Sequence, residues 1–120
     1  MERARYKELI AYQKSYKVVK RVYKITKNFP KEEIYGVVSQ LRRAAVSVPI
    51  NIAEGYMRGS KEYARFLQIA LGSSAEVGTL LELSNDLNFC DQSKIIETSN
   101  LNTEVTKLLI TYINRMKHKI

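Results

Sequence analysis

Apolar residues recur at steps of three and four along four long segments of this 120-residue chain. This spacing is typical of amphipathic α-helices, in which one side of each helix faces a core. The chain has only two prolines and five glycines, so we expect short connections between the helices. The sequence therefore predicts an all-α fold, an antiparallel up-down-up-down four-helix bundle. The predicted helices span residues 7–27, 31–57, 61–88 and 92–117.

The first predicted helix carries several of the eight tyrosines of the chain. Tyr16 and Tyr23 fall on its predicted inner row, so we expect them to pack in the core. Tyr6 and Tyr12 alternate with basic residues, and two interpretations stay open for them. They either pack in the protein or stack on unpaired bases of a nucleic acid.

A proline lies inside the second predicted helix, where it removes one helical hydrogen bond. Either the helix is kinked at Pro49 or the segment is two helices. We expect a kink, because the apolar spacing continues from Val48 to Ile52. At the next break, Gly59 is the predicted helix stop and Ser60 the predicted N-cap of the third helix.

Small residues interrupt the third predicted helix between Gly72 and Gly78. Glycine destabilises a helix interior by about 1 kcal/mol relative to alanine, so we expect another backbone to approach closely there. Asp91 is the predicted N-cap of the fourth helix.

The length and composition predict a single globular domain over residues 1–120. No apolar stretch is long enough to span a bilayer, and no apolar segment typical of a signal peptide follows the N-terminus. We therefore expect a soluble, unexported, cytoplasmic protein that does not act at a membrane. The single cysteine, Cys90, and the single histidine, His118, exclude a disulfide framework and a Cys/His zinc cluster. We expect no catalytic residue, metal or cofactor.

Positive charge is concentrated at the start of the chain. The 20 basic residues outnumber the 12 acidic ones, and the net charge is +8. Such a segment suits a polyanion, most often a nucleic acid and less often an anionic membrane surface. The alternative is a solvated helix face that keeps a small protein in solution. The candidate phosphate contacts are Lys14, Lys17, Lys20, Arg21, Lys24, Lys27, Arg42 and Arg58.

A polar row runs along the second predicted helix at steps of three and four. Ser47 and Asn51 are poor helix formers, and their positions on adjacent turns predict a hydrogen-bonding role. Glu54 and Arg58 are spaced for an ion pair between successive turns. Arg43 is predicted to pair with Glu76 of the third helix, or else to contact phosphate.

The segment SQLRRAAVSVPINIAEG, residues 39–55, resembles the signature of the "four helix bundle protein" family, whose members are encoded in intervening sequences of bacterial 23S rRNA genes. The similarity extends to Phe29-Pro30 with Glu33 and Tyr35, to Arg58, and to residues 62–76. It covers about residues 5–115.

The resemblance implies an antiparallel four-helix bundle that assembles as a ring, commonly a homopentamer, with a basic surface facing nucleic acid. It implies no defined activity. The family is also similar in fold to the accessory protein of diversity-generating retroelements, which binds a reverse transcriptase and nucleic acid. The residues that we expect to serve the fold or the subunit seams are Arg43, Ser47, Pro49, Asn51, Glu54, Gly55 and Glu76.

Two functional hypotheses follow. The first is a module that binds nucleic acid, RNA in preference to DNA, through the basic residues of the first helix. The second is a protein-interaction scaffold whose partner is, for example, a reverse transcriptase.

Overall fold

A computed structural model describes residues 5–117 of the chain. Four α-helices make up the fold: α1 (Ile10–Thr26), α2 (Ser39–Arg58), α3 (Ser60–Asp86) and α4 (Gln92–Lys117). A short 3-10 turn, Arg5–Glu8, precedes α1, and no strand occurs within residues 5–117. Both α1 and α3 pack against α2 and α4, as expected for a bundle with short connections. The predicted all-α four-helix bundle is confirmed.

The core consists mainly of aliphatic side chains from all four helices. Burial of each large side chain of this kind contributes about 1.5–3 kcal/mol to the free energy of unfolding. The predicted inner rows of the second, third and fourth helices are largely buried, and α4 has the predicted bounds. The largest fully buried aliphatic side chains are Leu41, Ile52, Leu67, Leu81, Ile95 and Leu109.

The inner face of α1 is rotated by about one residue from the prediction. Val18, Val22 and Ile25 are buried, whereas Tyr16 is 51% and Tyr23 41% exposed. Two adjacent rows on a helix share the same spacing, so spacing alone does not choose between them. The row with smaller side chains faces the core, and the phenol hydroxyls keep contact with water. The predicted core packing of Tyr16 and Tyr23 is wrong.

The connection between α1 and α2 is irregular where the sequence predicted helix from residue 31. A 3-10 turn, Lys31–Glu33, is followed by a π-helical turn, Ile34–Val38. Within that turn Gly36 has non-helical angles, φ −112° and ψ −109°. The side chain of Glu33 accepts a hydrogen bond of 3.4 Å from the Val37 amide. The side chains that precede α2 therefore point in directions that differ from those in a regular helix.

Pro49 lies within one continuous α2 and is buried, so the alternative of two helices broken at Pro49 is wrong. Non-helical backbone angles occur before α2, at Gly36. At the other end of α2, Gly59 has a φ of 100° and separates α2 from α3 by a single residue. Gly59 itself occupies the N-cap position of α3, and Ser60 is the first helical residue, so the predicted Ser60 cap is wrong.

The start of α4 carries the predicted cap. The Asp91 carboxylate accepts hydrogen bonds of 3.0 Å from both the amide and the hydroxyl of Ser93, which satisfies a donor of the first turn. Within residues 5–117, no helix combines the length and apolar character needed to cross a membrane.

Candidate nucleic-acid interface

The basic residues of α1 divide into paired and unpaired groups. Lys14 forms an ion pair of 2.7 Å with Glu104 of α4, and Arg21 pairs with Glu97 of the same helix. Both pairs are largely exposed, so each contributes at most about 1 kcal/mol and weakens with salt. The lysines of α1 and of its C-cap with no carboxylate of the described residues within 4.0 Å are Lys17, Lys20, Lys24 and Lys27.

The flank of α1 that faces α4 keeps positive charge after this pairing. A hydrogen bond from Lys14 lowers the pKa of the Glu104 carboxyl, and the charges of Lys107 and Lys17 act in the same direction. Three lysines therefore surround one carboxylate. That carboxylate stays ionised to a lower pH than an ordinary glutamate does.

A basic hollow lies between the end of α1, the irregular connection and the start of α2. We name this hollow of about 660 Å³ the cationic groove. None of the described residues that line it is acidic. Its basic residues are Lys27, Lys31, Arg42 and Arg43, and its aromatic residues are Tyr23, Phe29 and Tyr35.

Arg42 is held in a fixed orientation at the wall of the cationic groove. Its Nε donates a hydrogen bond of 2.9 Å to the Thr26 hydroxyl, which in turn donates one of 2.7 Å to the Val22 carbonyl. The guanidinium also lies over the Tyr23 ring, 4.5 Å from its centroid. The four N–H groups on the two terminal nitrogens have no partner among the described residues. A guanidinium with this freedom can bind phosphate or carboxylate with two parallel hydrogen bonds.

Tyr35 stands at the edge of the cationic groove with 95% of its surface exposed. It belongs to the π-helical turn, and π-helical turns are frequent at functional sites. Phe29, by contrast, is buried and packs against Phe89 with ring centroids 5.4 Å apart. Tyr35 is therefore the aromatic residue of the groove whose ring is open to a ligand on both faces.

Arg58 lies far from Arg42, although both were predicted to contact phosphate. Sixteen residues separate them along α2, which corresponds to about 24 Å at 1.5 Å per residue. Arg58 forms the predicted ion pair with Glu54, at 2.9 Å, and covers the Phe66 ring. The predicted phosphate contacts thus do not form one continuous surface.

Ser47 and Asn51 of the polar row of α2 form hydrogen bonds, as their spacing predicted, and Ser47 reaches α3. The hydroxyls of Ser47 and Ser73 are 2.8 Å apart, and the Asn51 amide donates to the Ser47 carbonyl and hydroxyl. The close helix approach lies at Gly55, where an added Cβ would be 2.5 Å from that of Phe66. Among the described residues, an added Cβ at Gly72 would have no neighbour within 4 Å and one at Gly78 would lie 3.5 Å from the Asn102 side-chain nitrogen, so the predicted close approach of another backbone between Gly72 and Gly78 is absent at both glycines.

The predicted ion pair between Arg43 and Glu76 is wrong for the described chain. Both side chains are exposed, and they line one shallow hollow of about 500 Å³ without coming within 4.0 Å of each other. In water such a pair gains too little to hold two long side chains together. The end of Arg43 is left available to the cationic groove, which it also lines.

A second hollow, of about 490 Å³, lies at the opposite end of the α1–α2 pair, and we name it the apolar hollow. Tyr6 and Tyr12 pack edge to face on its wall, with ring centroids 5.2 Å apart. The exposed side chains of Ile50 and Met57 border it from α2. Among the described residues that line it, Glu54 alone is charged. Tyr6 and Tyr12 therefore pack with protein rather than among the cations.

Cys90 is half-buried, and burial followed by the charge of Asp91 raises the pKa of its thiol. The thiol is therefore protonated near neutral pH, which makes it a weak nucleophile. Within residues 5–117 no three side chains of the His, Cys, Asp and Glu types come together to hold a metal. His118 lies outside the described residues.

The helical pattern of the sequence did not single out two residues of the cationic groove, Lys31 and Tyr35. It placed both on a regular second helix, whereas they lie on the irregular turns before α2. The neighbouring pair Tyr35-Gly36 was the available signal, since glycine tolerates non-helical backbone angles inside a helical pattern.

Comparison with known proteins identifies the family. A sequence model described as 23S rRNA-intervening sequence protein matches residues 7–111. A search of curated proteins found no match. Among solved structures, one is a protein of unknown function from the S23 ribosomal protein family of Bacteroides thetaiotaomicron VPI-5482. It is 26% identical, has a TM-score of 0.77, and the match covers 87% of this chain and 98% of that one. With a family match over most of its length, this chain belongs to the 23S rRNA-intervening sequence protein family.

Proposed function

We propose that this protein binds RNA and catalyses no reaction. The observation that carries the proposal is the row of α1 lysines that have no carboxylate of the described residues within 4.0 Å, Lys17, Lys20 and Lys24, which leads into the cationic groove. A surface of this kind attracts a phosphate backbone and releases the counterions that surround it. RNA is proposed over DNA because the family description refers to 23S rRNA intervening sequences. The proposed location is the cytoplasm, in keeping with an RNA ligand.

The proposal includes assembly of several copies of the chain, for which the resemblance implies a ring of five. The supporting observation is the apolar hollow, where Tyr16, Ile50 and Met57 are each more than half exposed. A second copy that covered this hollow would remove their apolar surface from water. A ring would also repeat the α1 lysines several times on one particle, which raises the avidity for a long polyanion.

The salt dependence of RNA binding tests the proposal. If about five phosphates are neutralised at each site, log K falls against log salt with a slope of about −4 to −5. The double variant K17Q/K24Q removes two unpaired lysines of α1 and should make this slope shallower by about 1.5–2. Fluorescence anisotropy of a labelled RNA hairpin over a salt series measures both slopes.

The matched control is K61Q/K117Q, which removes two exposed lysines from the ends of α3 and α4 that lie opposite the cationic groove. It has the same net charge as the test variant. Equal slopes for the two variants would show that binding follows net charge and not the α1 surface, which would contradict the proposal.

A protein-interaction scaffold is the second candidate function, and the apolar hollow is the observation in its favour. The scaffold would bind a partner protein, such as a reverse transcriptase, and RNA only weakly. Tight RNA binding by the purified protein at physiological salt contradicts this candidate. Salt-sensitive RNA binding together with a stoichiometric protein partner in a pull-down supports it.

A further inference from the structure

We propose that the cationic groove holds one unpaired nucleotide of an RNA, with its base on Tyr35 and its phosphate on Arg42. This inference rests on the proposed RNA binding and adds which part of an RNA the groove selects. It is carried by the combination of an open aromatic ring, an oriented guanidinium and flanking lysines in one hollow.

The phosphate position follows from Arg42. The hydrogen bond to Thr26 and the Tyr23 ring together fix its guanidinium, so little side-chain freedom remains to be lost on binding. The terminal N–H groups can form two parallel hydrogen bonds to one phosphate. No carboxylate among the described lining residues competes for that position.

The base position follows from Tyr35. Its ring is 95% exposed and makes no ring contact with another described residue, whereas one face of Tyr23 is covered by Arg42. Bases stack well on exposed tyrosine rings and do so with little sequence preference. The groove volume of about 660 Å³ falls within the range of about 300–1,000 Å³ that is typical of sites for small molecules.

An unpaired nucleotide fits this arrangement, and a duplex does not. Inside a duplex each base is stacked between its neighbours, so no base face is available to Tyr35 away from the two ends. A loop, bulge or single strand can turn one base out to the ring while its backbone stays near the cations. Lys27 and Lys31 then lie where they can contact the adjoining phosphates.

The test compares a labelled ten-nucleotide unstructured RNA with the blunt duplex of the same sequence, by fluorescence anisotropy. We expect Y35A to lose about 5- to 100-fold in affinity for the single strand and less than twofold for the duplex. Y35F should restore binding to the single strand, because it keeps the ring. The matched control is L87A, which removes an exposed apolar side chain outside the groove and should leave both affinities unchanged.

The variant R42K tests the phosphate contact, because it keeps the charge and removes the planar fork. We expect a loss of about 5-fold or more for the single strand. Arg42 is half-buried, so circular dichroism and the melting temperature of R42K must match the parent. If R42K unfolds, the variant K31Q replaces it and tests the flank of the groove. We then expect the affinity for the single strand to fall at least twofold.

A third measurement locates the nucleotide without a substitution. Ultraviolet cross-linking to the single-stranded RNA followed by tryptic digestion should place an adduct on residues 32–42, the peptide that contains Tyr35. An adduct found only on other peptides would overturn the proposal.

The outcomes separate this inference from the proposed function. A parent protein that binds neither RNA contradicts both. A parent that binds both RNAs while Y35A keeps its affinity for the single strand overturns the nucleotide site and leaves RNA binding through α1 in place. Equal losses of Y35A on the single strand and the duplex also overturn the nucleotide site.

Discussion

The cationic groove and the apolar hollow lie between the same two helices, yet they differ in nearly every chemical respect. The cationic groove has four basic residues and no acid among its described lining residues. Among its described lining residues the apolar hollow has one that is charged, Glu54, together with exposed tyrosine, isoleucine and methionine side chains. One helix pair therefore offers a surface for a polyanion at one end and a surface for protein at the other. We propose that RNA binds at the cationic groove and that a second copy of the chain binds at the apolar hollow.

The largest expected effect comes from removing charge in the cationic groove. The triple variant K27Q/K31Q/R43Q should bind an RNA hairpin about 100-fold more weakly at 0.1 M salt, because about three phosphate contacts are lost. Its molar mass by light scattering should equal that of the parent. A loss of RNA binding that came with a change of mass would mean that the two surfaces are not independent.

The apolar hollow is tested by I50E, which places a charge on a half-exposed apolar side chain. We expect the oligomer to dissociate toward the 13.8 kDa chain in light scattering, since burying an unpaired carboxylate is costly. The control K117Q changes the charge at another exposed position of the chain and should keep the parent mass. An unchanged mass for I50E would contradict the assignment of this hollow to a second copy.

The close contact between α2 and α3 at Gly55 is tested by G55A. The added Cβ would lie 2.5 Å from the Cβ of Phe66, so the two helices must separate. We expect a loss of about 1–3 kcal/mol in the free energy of unfolding by urea denaturation. G72A, where an added Cβ has open space, should instead gain up to about 1 kcal/mol. If both variants lose stability equally, the close contact at Gly55 is not the cause.

The smallest expected effect concerns the ion-paired flank of α1. E104Q removes the acid that competes with phosphate for Lys14, so RNA affinity at low salt should rise by about twofold. The gain should vanish at high salt, where exposed pairs are screened. The pKa of Glu104 is lowered, so its carboxylate is ionised throughout pH 6–8 and the gain should be constant over that range. E62Q, at the Arg65 pair on α3, should show no gain.

Apolar spacing predicted the number, order and approximate bounds of the helices, because long amphipathic patterns leave few alternatives. It placed the buried face of α1 about one residue away from the observed one. Two neighbouring rows of side chains on a helix have the same spacing, and only packing decides which row is buried. The pairing of Arg43 with Glu76 depended on the register of α2 against α3. The contact between Ser47 and Ser73 fixes a register that brings Arg43 and Glu76 to one hollow, but both side chains are exposed, and an exposed pair gains too little to hold them together.

The candidate site was predictable only in part. The α1 lysines were visible as a concentration of charge, and Arg42 was among the candidates. Arg42 is oriented by Thr26 and Tyr23, which lie on another helix. No spacing rule within one helix predicts such contacts. Lys31 and Tyr35 join the groove through the irregular turns around Gly36, where a helical pattern assigns side-chain directions wrongly.

The central claim is that the cations of α1 and the cationic groove bind RNA. It is tested most directly by the anisotropy of the full chain with a folded rRNA-like hairpin and with unrelated duplex DNA, each at low and physiological salt. We expect hairpin binding that persists at about 0.15 M salt and is at least about tenfold tighter than binding to DNA. Binding that disappears at physiological salt, or is equal for the two ligands, would contradict the claim and direct attention to a protein partner.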